Sequence, residues 1–313
     1  MNKNNIIMHK MNYIKIRKYL GVKFMKKGVI KKLMAFTMAT GLCMGMFACG
    51  TSSPKEEGAN KIEKTLLEEI KEEGKIVLGT SADYPPYEFR AEVNGKSEIV
   101  GFDIEIAKEI AKDLGVELEV QDMKFDTLVA ALQAGTIDFV VSGMNPTEER
   151  QQAVDFSKIY YDADHGIVIK KEDKDKLKTK DDFKGLVVGA QKGSIQEGLA
   201  TTQMEGINFR GLGKASDLLL EMLGGTMDAA VMEIPVAKAN VSANPSLYVI
   251  ENPGFDLEGS QEGSAIAVPK NSKELLEQIN KTLDRLAKEN KIDTFIVDAN
   301  KLMEKEQSKK FIL

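Results

Sequence analysis

No tryptophan occurs in the 313 residues, and there are only two cysteines and two histidines. Cys43 and Cys49 both lie near the N-terminus, so from residue 50 onward no thiol is left for a disulfide framework or a Cys-based metal site. His165 is the one histidine in that stretch, which excludes a His-rich metal centre. The Gly-x4-Gly-Lys-Ser/Thr spacing of a phosphate-binding loop is missing, and Gly211–Lys214 is a lone Gly-x-Gly of little weight. Basic character is also scarce. The chain carries 48 Asp and Glu against 43 Lys and Arg, and ten of those basic residues fall within positions 1–48, which hold no acid. The remainder is strongly acidic, which argues against nucleic acid as a partner.

Positions 25–49 read as an export signal. Lys26, Lys27, Lys31 and Lys32 form a basic start, Leu33 to Ala48 is an uncharged and mostly apolar run, and a small residue precedes Cys49. That run is shorter than the roughly 20 residues that span a bilayer comfortably. The text then changes to "GTSSPKEEGANK", which has linker composition. The segment resembles a bacterial lipoprotein signal in which Cys49 becomes the lipid-bearing first residue, although Met46 stands where Leu is usual. Residues 1–48 are therefore expected to be signal, with 1–24 a mis-called extension ahead of Met25, and 49–73 a tether.

Beyond it, strand and helix signals alternate. "KIVLGT" (Lys75–Thr80) is a short apolar run. Phe102, Ile106, Ile110 and Leu114 recur four apart before Gly115, as on one face of a helix with a glycine stop. "VELEVQDM" reads as a strand, "FDTLVAALQAG" as a helix capped by Asp126 with Leu128, Val129 and Leu132 inward, and "TIDFVVSG" as another strand. This β-α-β-α-β order predicts a parallel sheet covered by helices. The grammar restarts with "GLVVGAQKGS", "IQEGLATTQ", "ASDLLLEMLGG" and "TMDAAVME". One phrase thus occurs twice: "QAGTIDFVVSG" (133–143) and "LGGTMDAAVME" (223–233) both give a helix stop, Gly-Thr-apolar-Asp, and a buried strand. Chance recurrence of cheap helix-to-strand chemistry is the alternative. Two α/β lobes would face each other across a cleft lined by the carboxyl ends of their strands, with Ser142-Gly143 on one side and Glu233 on the other.

Several residues at those ends suit a ligand. Tyr84 sits in a loop stiffened by Pro85-Pro86 and could cover an apolar or cationic group. Phe125 could do the same, or could act as a hydrophobic staple before Asp126. Arg150 offers a planar fork for a carboxylate, or a surface pair with Glu148 or Glu149. In "QKGSIQE" (Gln191–Glu197), Gly193 and Ser194 stand at an expected helix N-terminus, which favours an anion. Glu233 ends an apolar strand and wants a cationic partner, either a ligand ammonium or a neighbouring Lys. A guanidinium and helix amides for a carboxylate, with an acid for an ammonium, together describe a free α-amino acid.

The segments "GTSADYPPYEF", "GFDIEIAKEIAKDLG", "FDTLVAALQAGTIDFVVSGMNPTEERQQAVDFSKIYY", "VVGAQKGSIQE" and "DAAVMEIPVAKA" resemble the polar amino-acid group of extracytoplasmic solute-binding proteins. The resemblance runs from Gly74 to about Val297. It implies an α/β, two-lobed, type II periplasmic-binding-protein-like fold, with two parallel or mixed sheets flanked by helices and joined by two hinge strands. Lobe 1 would comprise 74–161 plus 262–303, lobe 2 162–261, and the tail 304–313. The first hinge would follow Tyr160-Tyr161, the chain would return near 259–265, and a helix would span Ser272–Glu289.

By the same resemblance, Tyr84 and Phe125 sandwich the ligand side chain. Ser142, Gly143 and Asn145 bind its ammonium or carboxylate, and Arg150 holds the carboxylate with Ser194, Ile195 and the adjoining Gln191 and Gln196. Glu233 takes the ammonium. Members specific for basic side chains can carry an acid where Ser81 stands, Glu233 is often Asp, and Asn145 replaces Ser or Thr. The implied role is a lipid-anchored monomer outside the cytoplasm that passes a polar or basic amino acid, arginine-like by its look-alikes, to an ABC permease and its ATPase. No cofactor or metal is expected. A dehydratase of the cyclohexadienyl type on the same fold, with Glu233 as its acid or base, and a sensory lipoprotein are the alternatives.

Overall fold

The computed structural model describes residues 64–257 and 263–310, so the signal, Cys49 and most of the expected tether lie outside the described residues. The end of that tether is a helix. In α1 (Leu66–Glu73), Thr65 accepts from the Glu68 N–H while Glu68 reaches back to the Thr65 N–H, a capping box that satisfies two end donors at once. Ile70 anchors α1 on the core, and Gly74 ends it in the left-handed region.

After β1 (Lys75–Thr80) comes an element that was not anticipated, a three-stranded antiparallel sheet of β2 (Asp83–Tyr84), β3 (Glu88–Val93) and β4 (Lys96–Val100). Asn94 and Gly95 turn between β3 and β4 with φ of 52° and 77°, as a tight hairpin requires. Helix α2 (Phe102–Leu114) buries Phe102, Ile106 and Ile110, and Gly115 caps it as expected. Gly101 before it has φ of 130°, and a Cβ there would lie 2.0 Å from the Tyr87 carbonyl oxygen, so only glycine lets this helix start so close to the Tyr84–Tyr87 loop.

Strand β5 (Glu117–Asp122) is followed by a single 3-10 turn, Phe125–Thr127, and α3 (Leu128–Gln133). Asp126 does not cap this helix. It lies inside the turn, and its carboxylate meets Lys192 at 3.4 Å. Strand β6 is shorter than expected, only Phe139–Val140, because side chains take over the backbone partners on both sides of it. Asp138 accepts from the Val77 N–H, Thr80 donates to the Val141 carbonyl, and the Gly143 N–H donates to Asp103. Then come α4 (Glu148–Ala153) and β7 (Val154–Tyr161).

The second half runs β8 (His165–Lys170), β9 (Val187–Gln191), α5 (Ile195–Gln203), β10 (Asn208–Leu212), α6 (Ala215–Leu223), β11 (Ala229–Glu233), α7 (Ile234–Ala243) and β12 (Leu247–Ile250). Strand β13 (Ser264–Pro269) then joins the first sheet, followed by α8 (Lys273–Lys288) and α9 (Lys291–Lys310), which extends into the stretch expected as a tail. The two main sheets have orders β5-β1-β6-β13-β7 and β10-β9-β11-β8-β12. In each, three parallel strands are followed by an antiparallel fourth, so both sheets are mixed rather than wholly parallel. The chain passes between them twice, after Tyr161 and after Ile250. These are the two lobes and two crossings of a type II binding-protein fold.

Candidate functional site

The repeated phrase does the same work in both lobes. Gly135 and Gly225 take φ of 67° and 76°. Thr136 donates from its hydroxyl to Ala131 O at 3.0 Å, and Thr226 to Glu221 O at 3.1 Å. Asp138 accepts from the Val77 N–H at 2.7 Å while its own N–H returns to Val77 O at 2.8 Å. Asp228 repeats this on Val187 at 2.8 and 2.9 Å. Each Asp therefore clips the incoming strand to the first strand of its sheet, and sets where the strand ends emerge.

Those ends meet. The Ser216 N–H donates to Asp83 at 3.1 Å, the Glu233 N–H reaches the Tyr84 hydroxyl at 3.4 Å, and Arg150 Nη2 donates to Gly193 O at 2.7 Å. Lys192 pairs with Asp126 at 3.4 Å, and Lys214 approaches Asp122 at 3.8 Å. Every one of these contacts joins a residue of one lobe to a residue of the other.

Arg150 makes neither surface pair open to it on sequence grounds. Its second guanidinium bond runs from Nη1 to Asn145 O at 2.7 Å, and its Cζ lies 5.2 Å from the centre of the Phe125 ring. This is a cation–π contact. Burial lowers the guanidinium pKa to about 10, with Glu149 opposing the shift. Phe125 is buried with Leu128, Val140 and Met144.

Glu233 is 2% exposed, and its Oε2 has no hydrogen-bond partner. Burial raises its pKa to about 8; the neighbouring Tyr87 hydroxyl pulls the other way, and Asp103 and Asp162 add to the rise. A carboxyl in this state lacks a cation.

The anion end is less open than the sequence implies. Ser194 caps α5 by accepting from the Glu197 N–H at 3.2 Å, and its own N–H is turned back to Gln191 O. Gly193 N–H is taken by Glu197 Oε2. Among the described residues no acceptor reaches the N–H groups of Ile195 and Gln196. Gln196 Nε2 lies 3.1 Å from His165 Nδ1, while buried Gln191 keeps an unpartnered Nε2.

On the facing side, Ser81 donates to Asp83 at 2.8 Å and its N–H goes to Ser142 Oγ at 3.1 Å. An acid thus lies beside Ser81 although none replaces it. Ser142 donates to Glu88 at 2.5 Å, and Asn145 Nδ2 binds Gly263 O at 3.1 Å. The Gly143 N–H is spent on Asp103 at 2.8 Å, so it does not face a ligand carboxylate. Glu88, Asp103, Asp83 and Tyr87 were missed. Alternation along β3 puts Glu88 on the face of the exposed Arg90 and Glu92, so nothing in the strand pattern pointed to its burial.

Two α/β lobes joined by two crossings, with unsatisfied polar groups where their strand ends meet, define a ligand receptor of the binding-protein type. The profile of the bacterial extracellular solute-binding proteins, family 3, matches residues 76–297, and the chain belongs to that family. It is 39% identical to the "Arginine-binding extracellular protein ArtP" of Bacillus subtilis, over 82% of this chain and 93% of that one. A "Probable histidine-binding protein" of Campylobacter jejuni is 31% identical, over 87% and 98%. Among solved structures, the substrate-binding protein AbpA of Streptococcus pneumoniae bound to L-arginine has a TM-score of 0.72 at 39% identity, covering 75% of this chain and 98% of its own. These relatives are substrate-binding proteins. Among the described residues no helix is long and apolar enough to cross a membrane.

Proposed function

We propose that this protein captures a free basic L-amino acid, L-arginine in the first instance, and delivers it as a monomer to an ABC import permease from a lipid anchor at Cys49. The observation that carries the reading is Glu233: a deeply buried carboxyl with one oxygen unpartnered, at the edge where the lobes meet. A ligand ammonium satisfies that oxygen and restores its charge. Arg150, the Ile195 and Gln196 N–H groups and the Gln191 amide supply donors for the ligand carboxylate. Tyr84 and Phe125 flank the ligand side chain, and Asp83, next to Ser81, adds negative charge that favours a basic one. Lobe 1 is taken as 74–161 plus 262–303 and lobe 2 as 162–261.

Arginine is favoured because ArtP and AbpA, named above, carry it in their names or their crystals. Capture works by population shift: a ligand touching both lobes stabilises the closed arrangement only through contacts absent from the open one. A thermal-shift screen against the common amino acids tests this, because a ligand that binds the folded state raises its apparent stability. L-Arginine gives the largest shift on this account, and no shift with any amino acid overturns it.

A further inference from the structure

We infer that Glu88 and Asp103 share a single proton, with Glu88 neutral and Asp103 ionised, and that this pair positions the Ser142-Gly143 corner of the cleft. Both residues are 0% exposed. They hold adjacent residues, Glu88 through the Ser142 hydroxyl at 2.5 Å and Asp103 through the Gly143 N–H at 2.8 Å, and Glu88 Oε2 and Asp103 Oδ1 have no hydrogen-bond partner. Two fully buried carboxyls at one corner, with no cation paired to either among the described residues, cannot both ionise without a large penalty, so one keeps a proton.

The surroundings decide which group keeps it. Asp103 Oδ2 accepts from the Gly143 N–H at 2.8 Å and from the Tyr160 hydroxyl at 2.9 Å, and Asp103 stands in the first turn of α2, where the helix dipole favours an anion. Glu88, the first residue of β3, has no helix dipole beside it and accepts only the Ser142 hydroxyl. The other titratable groups facing the pair are Asp83 and Tyr84 on β2, Tyr160 on β7 and Glu233 on β11, all acids or hydroxyls. Burial, followed by the Asp103 charge, holds Glu88 well above the carboxylate range, in keeping with this assignment.

The arrangement also fixes what Ser142 offers. Its proton goes to Glu88 and one lone pair takes the Ser81 N–H, so towards a ligand it is an acceptor, suited to an ammonium and not to a carboxylate.

The ligand arm of the test rests on the amino-acid reading above. L-Arginine is titrated into wild type and the Glu88→Ala, Glu88→Gln and Asp103→Asn variants from neutral to alkaline pH. Glu88→Ala should weaken binding about tenfold or more, as for a lost hydrogen bond to a charged group. Glu88→Gln should recover most of that loss, since its amide N–H replaces the carboxyl proton. It should also lack the part of the alkaline decline that wild type shows as Glu88 ionises beside Asp103. Asp103→Asn should bind more weakly than Glu88→Gln. Matching pH profiles for wild type and Glu88→Gln, or no rescue, overturn the inference.

A second arm needs no ligand. In a Glu233→Gln background, infrared spectra at neutral pH should show a protonated-carboxyl stretch that disappears at alkaline pH and in Glu88→Gln. Its absence overturns the shared proton even if the Glu88 variants fail to fold. If the stretch is present and L-arginine does not bind, the pair stands and the ligand assignment falls.

Discussion

The two corners at 133–143 and 223–233 are alike up to one point and then part. Glycine, threonine and aspartate make matching bonds in both, down to the paired contacts of Asp138 with Val77 and Asp228 with Val187. Beyond the aspartate, the first corner breaks off after two strand residues and spends its polar groups inside its own lobe, on Glu88 and Asp103. The second continues as a five-residue strand to Glu233, whose carboxyl is left unsatisfied. On the proposed function, the shared part is scaffold and the divergent part is site. One lobe presents a rigid, internally paired surface, and the other presents an unpaired charge-bearing group.

The largest effect should come from the divergent part. Glu233→Ala should weaken L-arginine binding by about 3 kcal/mol or more, as when one partner of a buried charge pair is removed. Calorimetry giving an unchanged Kd would show that the ammonium lies elsewhere. Arg150→Ala should cost about 1.5–3 kcal/mol of binding on the opposite side of the ligand, as for a hydrogen bond to a charged group. The same titration checks it, and a Kd equal to wild type would remove Arg150 from the site.

The shared part predicts equality. Asp138→Ala and Asp228→Ala each leave a strand N–H without its partner, at about 1–3 kcal/mol of stability apiece. Denaturant unfolding should show losses of similar size in both. A severe loss in one and none in the other would break the equivalence of the corners. The smallest effect belongs to the threonines: Thr136→Val and Thr226→Val should each lower stability by about 0.5–1.5 kcal/mol, again alike.

Much of this scaffold is legible in the sequence alone. The strands at 75–80, 187–191 and 229–233 and the glycine stops follow from apolar runs and from residues that tolerate positive φ, both local properties. The expected cap at Asp126 failed because Lys192, 66 positions along the chain, draws that carboxylate, and local propensity carries no record of such a partner. The Gly143 N–H answers to Asp103, a partner that the helical period marks only as the second residue of α2. Glu233 was legible because an acid closing an apolar strand conflicts with its surroundings. The Glu88–Asp103 pair was not, because each acid alone fits an ordinary surface position of its own element.

The account turns on Glu233 waiting for a cation. With its pKa raised to about 8 in the folded protein, Glu233 favours the folded state most fully below its unfolded value near 4.5, and that contribution is lost as pH rises through 8. A ligand ammonium reverses the preference and expels the proton. The most direct measurement is calorimetric titration of L-arginine near neutral pH in buffers of different ionisation enthalpy. The account predicts saturable binding with net release of up to about one proton, lost in Glu233→Gln. Binding without proton release, or no binding, would contradict it.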